Sequence, residues 1–424
     1  MTTGNAPKRD RRLSRRAFIR ALASAGALTA LAGCRSRTPA PTPTPTRTPR
    51  PATRPATGTA PPTAPNSPLP TATAPVSPLA TATASPTASA TPVATPTSPP
   101  TPTPTPTATP FPPGPPSKLG LFITRNDPRI FDLLRTGNVA LVKTLEYDPN
   151  FVTEIKAISP NTILVGRMDV PQVDLGSMTD PRAAARAFAD LLLPIATEPR
   201  RMAAIDAWES FNEPAPGNPE QMSRLAEFEA HRVELFANAG IRSCVGNFSA
   251  GMPPLEWWPQ FRPALEAAIK HKGYLGLHEY SAPTMQFGTP QDPLGWAVNP
   301  EEEGWLTLRY RKVYRGYLAP NQLLLPILLT EVGIDGLVTN RPGPDGFGWQ
   351  DFASYWDGIG MGSDTPGNYI EQLAWYDAHL QQDPYILGAA IFAAAASPGW
   401  ETYELLGETY PFLHQYLGVH PPRP

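Results

Sequence analysis

The sequence of residues 117–424 predicts a single (β/α)8 (TIM) barrel of the α/β class. Eight short apolar runs follow one another along this part of the chain. Amphipathic segments with helical periodicity alternate with these runs. The length suits a barrel of roughly 250 residues with extended loops. A doubly wound sheet usually has fewer strands, so eight runs favour the barrel.

The predicted strands are the apolar runs 119–123, 139–145, 163–168, 205–211, 242–247, 274–278, 324–330 and 387–393. The predicted helices between them are 128–135, 150–158, 181–195, 219–239, 254–270, 305–318 and 367–380. Several of these helices have Pro at or near their first residue, where its fixed φ suits a helix start. A short helix, 410–417, is expected to close the domain.

Residues 1–34 have the pattern of an export signal, which we exclude from the fold. The stretch 14–20, SRRAFIR, resembles the twin-arginine consensus, and the apolar run 21–32 that follows is too short to span a bilayer. Residues 31–34, LAGC, resemble a bacterial lipobox, which implies a lipid on Cys34. The alternative is an ordinary cleaved signal with an unrelated cysteine. We expect an exported cell-surface lipoprotein, anchored to the membrane outside the cytoplasm.

Residues 35–116 form a Thr/Pro-rich tract that we expect to be a disordered linker. Between Cys34 and Phe111 the tract contains no aromatic residue and no acid. It therefore lacks the apolar surface whose burial would offset the entropy of ordering the chain. Its proline content favours an extended stalk between the membrane anchor and the domain 117–424.

The charge distribution excludes nucleic acid as a partner. The whole chain has a formal net charge of −2, and before residue 117 its only acid is Asp10, among many Lys and Arg residues. Residues 117–424 are therefore acidic, whereas phosphate binding relies on clustered basic residues. A neutral polysaccharide or oligosaccharide is compatible with this charge. We expect the protein to be a monomer.

The sequence predicts no metal site and no cofactor. It contains no His-x-x-x-His or CxxC pair, and no glycine-rich phosphate loop follows a predicted strand. Of the two cysteines, Cys244 lies in the predicted strand 242–247, where a small core residue is the expected interpretation.

Two predicted strands end in carboxylates. The run 205–211 is followed by Asn212 and Glu213, and the run 324–330 by Glu331. In parallel α/β folds the carboxyl ends of strands are where side chains reach a ligand. Burying Glu331 inside the apolar run would cost several kcal/mol unless it had partners. Two facing carboxylates are what cleavage of a glycosidic bond requires.

The segment from Trp208 to Pro214, WESFNEP, resembles the strand-four signature of the clan A retaining glycoside hydrolases. Thr330-Glu331 matches the strand-seven position of that superfamily. The resemblance implies that Glu213 is the general acid/base, Glu331 the nucleophile and Asn212 a donor to the sugar 2-hydroxyl. Glu213 then has to carry a proton near neutral pH while Glu331 is ionised.

The resemblance also implies four supporting roles. Tyr280 would donate a hydrogen bond to Glu331, and His278 would contact Glu213 or the substrate. Trp400 would form an aromatic platform under the sugar. The superfamily often has an Arg at an early strand end that supports the nucleophile; here Lys143 ends strand two, and we take Arg167, which ends strand three, as the candidate.

Two further residues and the aromatic residues of two loops complete the interpretation. Asn247 is a candidate substrate contact or a turn residue, and Glu209 is expected to pair with an Arg inside the barrel. Aromatic residues in the loops after strands six and seven were expected to form cleft walls: Trp296, Trp305, Trp349, Tyr355 and Trp356.

The predicted function is a retaining glycosidase acting on an extracellular glycan. The alternatives are a non-catalytic carbohydrate-binding or sensor lipoprotein on the same barrel, and an envelope transglycosylase. The sugar, and the choice between endo and exo action, stay open at this point.

Overall fold

The structure, a computed structural model, describes residues 115–295 and 306–421. The predicted export signal 1–34, with Cys34, and the predicted linker up to residue 114 lie outside the described residues, as do Trp296 and Trp305. The interpretations of these segments therefore stay predictions.

Eight strands alternate with helices. The strands are β1 (Leu119–Ile123), β2 (Leu141–Thr144), β3 (Ile163–Gly166), β4 (Ala207–Trp208), β5 (Cys244–Phe248), β6 (Tyr274–Ser281), β7 (Ile327–Ile334) and β8 (Ile386–Ala394). The α-helices are α1 (Pro128–Arg135), α2 (Pro149–Ile158), α3 (Pro181–Ala196), α4 (Pro199–Ala204), α5 (Pro219–Asn238), α6 (Trp258–Lys270), α7 (Tyr310–Val313), α8 (Ala353–Gly358), α9 (Thr365–Gln381) and α10 (Tyr410–Val419). A π-helical turn, Tyr314–Leu318, continues α7, and 3₁₀ turns lie at Leu255–Trp257, Trp349–Phe352 and Glu401–Tyr403.

The strands are all parallel and follow the order β4-β3-β2-β1-β8-β7-β6-β5. The two outer strands meet through a bridge between Trp208 and Ser243, where the Trp208 N–H donates to Arg242 O at 3.1 Å. This contact closes the ring. The predicted (β/α)8 barrel is confirmed.

The starts of several helices are determined by the local sequence. Several helices have Pro as their first or second residue and are preceded by a side chain that accepts a backbone N–H, namely Asp127, Asp148, Asp180, Glu198, Asn218 and Asp364. Each such cap stabilises its helix by about 1 kcal/mol.

The apolar residues form two layers. Inside the barrel, Phe122, Leu141, Val165 and Leu328 belong to one buried cluster, and a larger cluster fills the space between the strands and the helices. Cys244 is fully buried in the inner cluster, which confirms its interpretation as a core residue. Among the described residues, no helix combines the length and apolar character needed to cross a membrane.

Strands β2, β3, β5 and β8 differ from their predicted bounds by one or two residues at an end, and β4, β6 and β7 differ by three or more. Only Ala207–Trp208 of the predicted strand 205–211 is paired, because α4 ends at Ala204 and the chain leaves the sheet before Asn212. By contrast, β6 and β7 stay paired as far as Ser281 and Ile334. Glu331 therefore lies within β7 and not after it.

An extra residue in β7 determines where Glu331 faces. Leu277 pairs with Leu329, but the next residue, His278, pairs with Glu331, so that Thr330 is skipped. Because side chains alternate along a strand, one inserted residue moves those that follow to the other face. The irregularity thus brings Glu331 to the inside of the barrel, beside His278.

Candidate active site

Glu331 is held by two donors inside the barrel. Its side chain is only 1% exposed. Lys143 Nζ donates to Oε1 at 2.9 Å, and the Tyr280 hydroxyl donates to Oε2 at 2.6 Å. A cation and a hydrogen bond to a carboxylate both favour its ionised form. The arrangement therefore suits a carboxylate that has to be charged.

Glu213 lies in the loop after β4, where its backbone has a φ of 44°. This left-handed conformation is uncommon for a residue with a side chain, and such strain persists where the surroundings hold the residue in place. Gln172 Nε2 donates to Glu213 O at 3.0 Å, and His278 Nδ1 lies 3.0 Å from Glu213 Oε1. The Glu213 side chain is 19% exposed, so that it is more accessible than Glu331.

The two carboxylates lie close together. An oxygen of Glu213, an oxygen of Glu331 and a ring nitrogen of His278 all lie within 4.8 Å of one another. His278 is itself buried, with Nδ1 3.5 Å from Glu331 Oε2. Residues far apart in the sequence therefore form one cluster at the carboxyl ends of β4, β6 and β7.

Lys143 connects this cluster to a third carboxylate. Its ammonium lies 2.9 Å from Glu209 Oε2 as well as 2.9 Å from Glu331 Oε1, and all three side chains are buried. The contact with Glu209 lacks the direction of a hydrogen bond, so it is an ion pair. A single cation thus lies between two carboxylates, under the Phe122 ring at 5.2 Å.

The structure brings Lys143, and not Arg167, to Glu331. Arg167 reaches Asp169 at 3.7 Å and Glu209 at 3.9 Å, both through long contacts. The expected Glu209–Arg pair is thus secondary to the Glu209–Lys143 pair. The missed signal was the charged residue inside the apolar strand LVKT, because a buried cation requires a carboxylate partner.

The two predicted asparagines differ in position. Asn212 Oδ1 is inaccessible to solvent and has no hydrogen-bond partner among the described residues. Asn247 is fully buried in β5, and its Oδ1 accepts from Cys244 Sγ at 3.6 Å. Its side chain packs against Gly276, where a Cβ would lie 2.0 Å from Oδ1. Asn247 is therefore a packing residue of the barrel interior rather than a surface available to a sugar.

Aromatic side chains line the β8 side of the cluster. Trp400, which is partly buried, packs edge-on against Phe392 at 5.3 Å and Tyr403 at 5.6 Å. Phe392 in turn contacts the ring of Tyr280 at 6.2 Å. Trp400 is thus linked through Phe392 to the residue that holds Glu331.

The expectation that Trp349 and Trp356 form cleft walls is wrong. Both are buried, and Trp349 stacks on Tyr369 at 5.2 Å. Trp356 Nε1 donates to Pro283 O at 2.8 Å. These rings fix the loop after β7 onto the domain, which leaves Tyr355, partly buried, as the described member of the predicted set with accessible surface.

The solved structures to which the chain is similar include glycoside hydrolases. The chain is similar to a GH128 (subgroup II) endo-β-1,3-glucanase from Pseudomonas viridiflava, with 14% identity over 72% of this chain and 98% of that chain and a TM-score of 0.38. A β-D-glucuronidase from Dictyoglomus thermophilum matches with 10% identity over 72% of this chain and 51% of that chain, at a TM-score of 0.43. A GH128 (subgroup III) curdlan-specific exo-β-1,3-glucanase from Blastomyces gilchristii matches with 14% identity over 69% of this chain and 97% of that chain, at a TM-score of 0.36.

This chain spans about half the length of the glucuronidase that it matches. No protein-family model and no curated protein matches the sequence. At these identities and TM-scores, the activity of the chain has to be inferred from its own side chains.

The cluster of Glu213, His278 and Glu331 offers donor atoms of the kind that bind a metal ion. Lys143 already supplies a positive charge 2.9 Å from Glu331, however, and a metal ion beside it would be repelled. Two carboxylates this close, one buried among donors and the other more exposed, can act together as nucleophile and proton donor.

Proposed function

We propose that residues 117–424 form a retaining β-glycosidase that cleaves O-glycosidic bonds of an extracellular poly- or oligosaccharide. The observation that carries the proposal is the separation of Glu213 and Glu331, whose nearest oxygens lie within 4.8 Å. Carboxyl groups of retaining enzymes stand about 5–5.5 Å apart, whereas inverting enzymes leave about 6.5–9.5 Å for a water molecule. The short separation supports double displacement.

In the first step, Glu213 protonates the glycosidic oxygen while a Glu331 oxygen attacks the anomeric carbon. The bond to the leaving group breaks, and a covalent glycosyl ester forms on Glu331. In the second step, the Glu213 carboxylate takes a proton from water, whose oxygen attacks the same carbon. Glu331 leaves as the carboxylate, and Glu213 is protonated again.

The surroundings of Glu331 support the role of nucleophile. Lys143 and Tyr280 hold its two oxygens, which favours the charged form and fixes the carboxylate for attack. Asn212 is the candidate donor to the sugar 2-hydroxyl, and Trp400 is the candidate platform. Both roles are proposed from the resemblance of the sequence to the clan A enzymes.

We also propose that the domain is held at the cell surface by a lipid on Cys34 and by the stalk 35–116. The proposal rests on the twin-arginine and lipobox patterns in the sequence. Labelling with a fatty-acid analogue in a bacterial host should mark the wild-type protein and leave Cys34→Ala unmarked. Equal labelling of both proteins, or none, would rule out lipidation at Cys34.

The catalytic proposal is tested with the full chain on aryl β-glycosides and on a panel of plant, fungal and bacterial glycans. We expect turnover by the wild type. Glu331→Gln and Glu213→Gln should abolish turnover of glycosides with poor leaving groups. Glu256→Gln, at an exposed site, should retain it. Sugar binding without turnover in the wild type would favour the binding-protein alternative. Products that form only with an added acceptor sugar would indicate a transglycosylase.

A further inference from the structure

Lys143 contacts not only the two carboxylates but also the imidazole between Glu213 and Glu331. Lys143 Nζ lies 3.4 Å from His278 Nε2, and His278 Nδ1 lies 3.0 Å from Glu213 Oε1. A chain of contacts therefore runs from Glu331 through Lys143 and His278 to Glu213. These contacts indicate which ring nitrogen of His278 and which oxygen of Glu213 carry a hydrogen.

The ammonium of Lys143 has donors only, and it pairs with both Glu209 and Glu331. A proton on His278 Nε2 would point at the hydrogens of this ammonium. The contact therefore favours a lone pair on His278 Nε2, and the hydrogen of the ring then lies on Nδ1.

The position of that proton has a consequence for Glu213. If Nδ1 carries the hydrogen, His278 donates to Glu213 Oε1, and Oε1 has to act as an acceptor. When Glu213 is protonated, its carbonyl oxygen is a better acceptor than its hydroxyl oxygen, so the donor on Nδ1 favours Oε1 as the carbonyl oxygen. The acidic hydrogen is thus assigned to Oε2.

We propose that Lys143 is a positioning residue that fixes the tautomer of His278 and thereby places the acidic proton of Glu213 on Oε2. The catalytic significance of this inference rests on the proposed function, in which Glu213 Oε2 would protonate the leaving group. The tautomer itself is a property of the resting protein. Lys143 then serves both carboxylates, Glu331 by direct contact and Glu213 through the ring.

The other charged groups around His278 agree with this assignment. Glu331 Oε2 lies 3.5 Å from Nδ1, so that a second carboxylate oxygen also favours a hydrogen on that nitrogen. Tyr280 donates to the same Oε2, which leaves that oxygen an acceptor. Glu209 holds Lys143 from the β4 side, at 2.9 Å. Glu331 therefore favours a hydrogen on Nδ1, and Glu209 helps to hold the Lys143 ammonium in place.

The test is ¹⁵N NMR of the full chain labelled at histidine, with His278 assigned by the resonances that His278→Asn removes. We expect a protonated Nδ1 and an unprotonated Nε2 in the wild type and in Lys143→Arg, which retains a cationic donor. In Lys143→Met, Nε2 should become at least partly protonated, because the cation that faces it is gone. Lys156→Met is the matched control, because Lys156 pairs with Asp206, which keeps Arg242 as a second partner.

A protonated Nε2 in the wild type would overturn the inference, as would an unchanged tautomer in Lys143→Met. If Lys143→Met fails to fold, the wild-type and Lys143→Arg spectra still decide. Kinetics form a separate arm: Lys143→Met should lose more activity on glycosides with poor leaving groups than on those with activated ones, because proton delivery matters only for the former. A wild type that shows the expected tautomer but turns over no glycoside would refute the proposed function and leave the assignment of the proton standing.

Discussion

The hydroxyl of Tyr280 donates a hydrogen bond of 2.6 Å to Glu331 Oε2, and both side chains are buried. Removal of a hydrogen bond to a charged group costs about 1.5–3 kcal/mol, and about 1.4 kcal/mol is tenfold in rate. We therefore expect Tyr280→Phe to lower kcat/KM about 10- to 100-fold, measured with aryl glycosides. Tyr410→Phe, which removes only a long contact with Asp132, is the control and should not change it. Equal kinetics for Tyr280→Phe and the wild type would show that the hydroxyl does not support Glu331.

The role of Asn212 is tested by changing the enzyme and the substrate together. Hydrogen bonds to the sugar 2-hydroxyl strengthen in the transition state and supply several kcal/mol. Asn212→Ala should therefore lower kcat/KM by about 100-fold or more on an aryl glycoside but have little effect on the matching 2-deoxy glycoside. The same loss on both substrates would place the effect of Asn212 elsewhere.

The buried ion pair between Glu209 and Lys143 predicts a loss of stability. In Glu209→Gln, Lys143 keeps only Glu331 as a carboxylate partner, so we expect the free energy of unfolding to fall by about 1–3 kcal/mol. Denaturant unfolding measures the change. Glu227→Gln, which breaks an exposed pair with Arg182, should change stability by less than about 0.5 kcal/mol. Equal effects of the two substitutions would contradict the structural role of Glu209.

Glu279 predicts a pH dependence of stability. Burial raises the pKa of Glu279 from 4.5 to about 7, even though its oxygens accept the Leu308 and Tyr310 N–H groups and the Tyr376 hydroxyl. The native state therefore binds this proton more tightly than the unfolded state does. The resulting stabilisation is complete below pH 4.5 and is lost as the pH rises through 7, by about 3 kcal/mol.

This contribution is isolated by comparison with Glu279→Gln, which cannot titrate. The stability of the wild type relative to the variant should fall by about 3 kcal/mol between pH 4.5 and 8, measured by chemical denaturation at each pH. Parallel pH profiles would mean that Glu279 is not the group responsible.

Much of the fold and part of the site could be predicted from the sequence. Alternating apolar and amphipathic segments predict a barrel because parallel strands need crossover helices on their outer face. The carboxylates at the ends of strands four and seven then had to lie at the same end of the barrel. This reasoning is general to the fold, which is why the proximity of Glu213 and Glu331 could be predicted without coordinates.

The remaining features depend on tertiary contacts. The partner of Lys143 could not be read from the sequence because its long side chain crosses the barrel to a strand that is not its neighbour. The skipped residue Thr330 depends on pairing with β6. The burial of Trp349 and Trp356 depends on how a long loop folds back, which aromatic composition does not determine.

The central claim is that Glu331 becomes covalently attached to the sugar, and it is tested most directly by trapping. The full chain is incubated with a panel of dinitrophenyl 2-deoxy-2-fluoro-β-glycosides, whose second step is slow, and is then digested for mass spectrometry. We predict one adduct per protein, on the peptide that contains Glu331, and no adduct in Glu331→Gln. An adduct on another residue, or turnover that inverts the anomeric configuration without any adduct, would contradict the account.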